Sequence, residues 1–328
     1  MLVLHVLSQW RTPFLTELFG FITRFGEETV AILVICTLFW CVNKRLGYGV
    51  GIAFFLSGLL VQGLKIGFRV DRPWIRDPAF QPAPEALEKA TGYSFPSGHT
   101  QTATAIFGAI AFAVTRWRLR APLIAIPLLV ALSRMVLGVH TPLDVTVSLV
   151  LTTVISAVVM RWMAAREPFF PSHALSVPAG QTLPGEVAAP SGTAGLSDHS
   201  RTLLLSALVA ITSFGLMGFA TGLYSRNLMD AHYLADSFKM AGSGIGFAVG
   251  HYVEKRFVRF STRTRRGWMQ PVKVLLGVGV LLGLQQGLKL VLGAGAGANA
   301  VRYALMICWA LAIWPALFSR IFILRAKN

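Results

Sequence analysis

Two histidines, one carboxylate and three cations fall in three short stretches of this chain: Lys65 to Arg72-Pro73, then Pro96-Ser97-Gly98-His99, then Ser133-Arg134 through His140 to Asp144. These residue types suit attack on a phosphate. Its oxygens repel nucleophiles, so a catalyst must neutralise their charge, present a nucleophile in line and protonate the leaving oxygen. Lys65, Arg72 and Arg134 bring positive charge; arginine can grip two oxygens at once, whereas lysine acts as a point charge. Ser97-Gly98-His99 stands at the head of an apolar run, where free helix-start amides make an anion site and Gly98 admits close backbone approach. His140 and Asp144 are four apart, a spacing that puts both on one helix face. A carboxylate accepting from one imidazole nitrogen fixes the tautomer and leaves the other nitrogen as a nucleophile.

Each stretch by itself has a plainer account. Lys65 and Arg72 can snorkel at the end of a membrane span. Ser97 can cap a helix. Asp144 can close a capping box behind Thr141-Pro142, or pair with Arg134, whose guanidinium lies inside the apolar run 121–139 where charge is costly. Taken together, the patterns Lys-x6-Arg-Pro, Pro-Ser-Gly-His and Ser-Arg-x5-His-x3-Asp resemble the type 2 phosphatidic acid phosphatase (PAP2) superfamily without a departure. That superfamily includes lipid phosphate phosphatases, glucose-6-phosphatases and vanadium haloperoxidases. The resemblance covers residues 2–166. It implies that His140 attacks phosphorus to form a phosphohistidine, Asp144 orients it, and His99 protonates the leaving oxygen and then activates water. It also implies that Lys65, Arg72, Ser97, Gly98 and Arg134 hold the phosphate. No His-x-Glu, Asp-x-Asp or paired-Cys cluster suggests a metal, so the cations take the part magnesium plays elsewhere, and no cofactor is expected.

The elements that position these residues are membrane helices. With 54% hydrophobic and 13% charged residues and a mean hydropathy of +0.61, the chain reads as an all-α, polytopic membrane helix bundle. Apolar windows at 29–42, 47–68, 99–115, 121–139, 141–163, 203–224, 234–253, 272–292 and 301–323 predict about nine transmembrane helices. The segment 2–25, with Trp10, Phe14, Leu18 and Phe21 among polar residues, predicts one amphipathic helix at the membrane surface. No cleavable signal is expected in Met1 to Gln9. Cys36, Cys41 and Cys308 sit in apolar windows and predict no disulfide framework.

The net charge of +16 is distributed between spans, which argues against nucleic acid. Lys44 and Arg45, then Arg116, Arg118 and Arg120, then Arg161 and Arg166, then the run from Lys255 to Lys273 mark every second connection. This is the positive-inside pattern of one topology, and it puts the three motif stretches on the extracytoplasmic face, as for a bacterial inner-membrane protein.

Three regions follow: 1–165, a catalytic membrane domain; 166–200, a Pro/Gly/Ser/Ala-rich cytoplasmic linker; and 201–328, a membrane domain of about four helices whose role the motifs leave unassigned. Its Gly242-Ser243-Gly244-Ile245-Gly246 run allows close helix packing, and self-association stays open. The expected partners are membrane lipids and a lipid phosphate substrate. Polyprenyl diphosphate is the first expectation, because an outward-facing site suits recycling of a carrier lipid; a phosphatidate-like lipid or phosphatidylglycerol phosphate also fits. Transfer of the phosphoryl group to another lipid shares the first half-reaction and is the alternative. A transport or interaction protein with a supporting phosphatase-like half is another.

Overall fold

The protein, described by a computed structural model over residues 1–87, 90, 92–165, 169, 198–264 and 266–321, has no strand among those residues. Its helices are α1 (Leu2–Gln9), α2 (Pro13–Thr23), α3 (Glu28–Thr37), α4 (Lys44–Phe68), α5 (Pro73–Arg76), α6 (Pro84–Leu87), α7 (Gly98–Ala103), α8 (Ala109–Ala113), α9 (Trp117–Val136), α10 (Pro142–Ala164), α11 (Asp198–Ser225), α12 (Ala231–Val253), α13 (Met269–Leu292), α14 (Ala296–Cys308) and α15 (Trp314–Ile321). Wider π turns extend α3 to Val42 and α12 to Val258, and join α7 to α8 and α14 to α15. Most of the linker expected at 166–200 lies outside the described residues.

Local sequence explains the helix starts. Asn43 caps α4 by accepting from the Leu46 amide at 3.0 Å. Thr12 caps α2 and Thr141 caps α10, each followed by proline in the first turn. Such caps contribute about 1 kcal/mol each. The single surface helix expected over 2–25 is divided in two, because Pro13 disfavours helical geometry at Thr12 and starts a new helix instead. Exposed Leu2, Trp10, Phe14 and Phe21 still give this segment an apolar outer face.

Among the described residues six helices are long and apolar enough to cross a membrane, or seven if the pair bent by 49° between Gly26 and Glu28 forms one span. Two of the nine expected windows fall outside this set. The 99–115 window forms α7, a π turn and α8, ending at Ala113 where Val114 turns extended. The 234–253 window is a full-length helix, but it carries Asp236, Lys239 and His251, which lower its hydropathy.

Contacts between helix ends show how the chain folds back and forth. Lys44 at the start of α4 meets Glu254 beyond the end of α12 at 2.9 Å, Arg45 donates to the Met163 carbonyl of α10, and Lys273 of α13 donates to the Trp40 carbonyl at 2.7 Å. At the opposite end, Arg69 after α4 donates to the Leu228 carbonyl before α12 at 2.9 Å, and Arg11 to the Val136 carbonyl of α9 at 2.6 Å.

One continuous core holds both halves of the chain together. Phe39, Trp40, Tyr48, Phe54 and Phe55 from the first half pack with Phe247, Leu281, Trp314 and Phe318 from the second. Apolar burial contributes little between helices in lipid, so close fit must hold them. The glycine run does this: a Cβ on Gly242 or Gly246 would collide with the backbone of Ala300 or Ala304, so these glycines let α12 lie directly on α14.

Candidate functional site

The three motif stretches meet at the end of the bundle formed by the end of α4, the start of α7, the end of α9 and the start of α10. Each side chain is delivered by a helix terminus. Lys65 lies in the last turn of α4, and its ammonium donates to the carbonyls of Tyr93 and Pro96, both at 3.0 Å. An ammonium has three donors, so one remains for a ligand. Arg72, 5% exposed, donates through Nε to the Gly92 carbonyl at 2.9 Å and through Nη1 to the Val139 carbonyl at 2.8 Å. Both cations thereby pin residues 92–96, the final approach to Ser97.

Ser97 begins α7 but its side chain makes no capping bond. Its hydroxyl instead accepts from Thr100 Oγ1 at 3.0 Å, and its backbone is fixed on both sides, by its amide to the Asp144 carbonyl at 3.2 Å and by Ser148 Oγ to its own carbonyl at 2.7 Å. The space where a Cβ of Gly98 would stand is open to 4 Å. A phosphate oxygen can therefore approach the α7 amides unobstructed. Nε2 of His99 is buried and has no hydrogen-bond partner.

Arg134 is 1% exposed. Its Nη1 donates to Thr23 Oγ1 at 3.0 Å, while its Nε is buried without a partner. The pairing of Arg134 with Asp144 is not formed. Asp144 Oδ2 accepts instead from the Thr141 amide at 2.8 Å and from Ser94 Oγ at 2.6 Å, completing the capping box of α10. The same oxygen lies 3.5 Å from His140 Nδ1, too long for a strong hydrogen bond and short enough to become one when a ligand draws the ring into line.

Arg72 Nη1 is 3.0 Å from His140 Nε2. A guanidinium has only donors, so Nε2 must be the accepting nitrogen and the ring proton sits on Nδ1, toward Asp144. The tautomer needed by a nucleophile is therefore set by two neighbours. Burial holds the His140 ring well below the ordinary histidine pKa, and the charges of Arg72, Arg134 and Lys65 lower it further. The imidazole is neutral near pH 7.

Lys65, Arg72, Gly98, His99, Arg134 and His140 all line one cavity of about 520 Å³. Sequence reasoning missed Ser94 and Thr23, which steady Asp144 and Arg134. Thr23 is 111 positions from its partner, and nothing in its local sequence marks the contact. Tyr233 of α12 was also missed; its ring stacks on Tyr93 at 4.1 Å and brings the second half of the chain to the rim of the site.

The PAP2 superfamily model matches residues 46–168, which contain all eight candidate residues. A second model, PAP2 superfamily phosphatase, transmembrane extension, matches residues 238–327. Among solved structures the chain is similar to a transmembrane PAP2 type phosphatidylglycerolphosphate phosphatase from Bacillus subtilis. The two share 25% identity over 49% of this chain and 82% of that one, with a TM-score of 0.42. No curated protein matches this chain.

Proposed function

The chain belongs to the PAP2 superfamily, and from that premise we propose that it hydrolyses a lipid phosphate or diphosphate through a phosphohistidine at the site around His140. The observation that carries this reading is the Arg72–His140–Asp144 line, which leaves a neutral imidazole with its Nε2 lone pair turned toward a cavity containing three cations. An incoming phosphate takes over the Arg72 guanidinium, since a doubly charged oxyanion is a better acceptor than an imidazole nitrogen. His140 Nε2 is then released for in-line attack. The N–P bond forms as the bond from phosphorus to the lipid oxygen breaks, and His99, carrying a proton it takes up as the anionic phosphate binds beside it, gives that oxygen its proton. His99 then takes a proton from water, whose oxygen attacks phosphorus and returns His140 to its starting form. Lys65, Arg134, the Ser97 hydroxyl and the Gly98 amide neutralise the charge on the phosphoryl oxygens.

The proposed setting is a bacterial inner membrane crossed about nine times, with the α7–α8 segment and α12 as the additional spans. In this reading α1 and α2 lie at the interface and the site faces the extracytoplasmic side, because the basic connections lie at the other end of the bundle. Residues 1–165 form the catalytic domain, 166–200 the linker and 201–328 the extension. A polyprenyl diphosphate, a phosphatidate-like lipid and phosphatidylglycerol phosphate all fit such a site. The test is phosphate release by purified protein in the presence of a chelator, with His140→Ala as control. Equal release by His140→Ala would overturn the assignment, and labelled phosphate appearing on an added lipid acceptor would replace hydrolysis by transfer.

A further inference from the structure

The cavity that holds the phosphate site does not end there. It continues from Lys65 and His140 into the seam between the two halves, between α3 and α4 on one side and α12, α13 and α14 on the other. Its lining changes along the way. About one helical turn (~5 Å) below Lys65 it is polar: Gln62 of α4, Glu28 of α3, Asp236 and Lys239 of α12 and Tyr303 of α14. Further in it is apolar, lined by Phe54, Phe247, Met306 and Leu311.

The polar level is built and only partly used. Lys239 Nζ donates to Asp236 Oδ1 at 2.7 Å, and Gln62 donates to Ser237 Oγ at 3.1 Å, tying α4 to α12 at this height. The Asp236 and Lys239 side chains are 35% and 37% exposed, and both residues line this cavity. Among the described residues Asp236 Oδ2 accepts no hydrogen bond. Glu28 lies close enough to both for their charges to interact, and Asp236 does the same with Lys65. Two carboxylates and one ammonium leave this level with a formal charge of −1.

We propose that Asp236 and Lys239, with Glu28, form a second subsite that reads the group joining phosphate to hydrocarbon, and that this group is neutral and bears hydroxyls. The proposal rests on the phosphatase reading above. The Asp236 carboxylate oxygen without a donor can accept from a hydroxyl. A hydrocarbon running directly from the phosphate would bury these charges against methylene groups, and a second phosphate would meet two carboxylates. The C-terminal half thus contributes the specificity-determining wall of a site whose phosphate cradle comes wholly from the first half. A glycerol-linked monophosphate fits this wall better than the polyprenyl diphosphate first expected.

The experiment compares three probes on purified full-length protein: 1-lauroylglycerol 3-phosphate, lauryl phosphate and farnesyl diphosphate. The wild type is expected to favour the glycerol probe over lauryl phosphate by about tenfold or more in kcat/KM. Asp236→Asn, which keeps size and removes charge, is expected to lower activity on the glycerol probe about threefold to tenfold, leave lauryl phosphate within about twofold and raise activity on farnesyl diphosphate. Lys239→Met is expected to lower activity on the glycerol probe while leaving lauryl phosphate unchanged. A parallel fall on all three probes in both variants would assign these residues to architecture and overturn the subsite. Unchanged ratios would overturn it too. Phosphate release from none of the probes by the wild type would overturn the phosphatase reading itself, so the two failures are distinct.

Discussion

Buried charge gathers at both ends of this bundle, and the two clusters differ in how completely they are satisfied. At the end where α4 starts, Glu254 is 0% exposed and accepts from Lys44 at 2.9 Å, from the Phe260 amide at 3.2 Å and from the Tyr48 hydroxyl. Lys273 nearby donates to two carbonyls. At the other end, His99 Nε2, Arg134 Nε and His140 Nδ1 are buried without a hydrogen-bond partner. Glu254 and its donors hold helices together. Although Gln270 Oε1 and Arg120 Nε at the same end are also buried without a partner, only at the other end do the unpartnered atoms belong to two histidines and an arginine that line one cavity. Cation content does not separate the two clusters, since both are rich in Lys and Arg.

If that contrast is right, substitutions at the two ends should fail in different ways. His140→Ala should remove about 10⁴-fold or more of phosphate release while leaving the melting temperature in detergent close to wild type. Glu254→Ala should do the reverse, costing about 3–5 kcal/mol of stability because Lys44 and Tyr48 lose their shared acceptor. Its activity per folded molecule should be preserved, as read by phosphate release normalised to the fraction folded. An activity loss in Glu254→Ala without loss of stability would break the comparison. Arg72→Lys should lower kcat/KM about tenfold to a hundredfold, since the fork that spans Gly92, Val139 and His140 becomes a point charge.

The smallest effect concerns pH. Burial, with Arg72, Arg134 and Lys65, depresses the His140 pKa, so the ring stays neutral as pH falls through the ordinary histidine value of about 6.5. The acid limb of kcat/KM should therefore lie below that value. Arg72→Gln removes one cation and should move the limb upward. The depressed pKa carries the usual linkage: the stability it contributes is present above the unfolded value and is lost as pH falls through the folded one. An acid limb at or above pH 6.5 in the wild type would show that His140 is not held neutral in the free protein.

Much of the site was legible because its signals are local. Thr141-Pro142 followed by Asp144 specifies a helix start whose capping carboxylate is four residues from His140, and the structure forms that box. Ser97 was less legible: its residue type suits a cap, but its hydroxyl is engaged by Thr100 and makes no capping bond. Whether Asp144 paired with Arg134 or with His140 was also undetermined, because both residues lie within reach along the chain. Thr23 and Ser94 decided it by occupying the alternative valences.

By itself the sequence determined which residues carry charge, which stretches are helical and apolar, and where helices begin, because capping and hydropathy act over a few neighbouring residues. Only the tertiary structure decided that Arg72 sets the His140 tautomer, that α12 lies against α14 through Gly242 and Gly246, and that Asp236 and Lys239 share a cavity with Lys65, Arg72 and His140. These follow from packing between segments far apart in the chain. Such contacts depend on shape and on which polar valences remain open, and no local spacing encodes either.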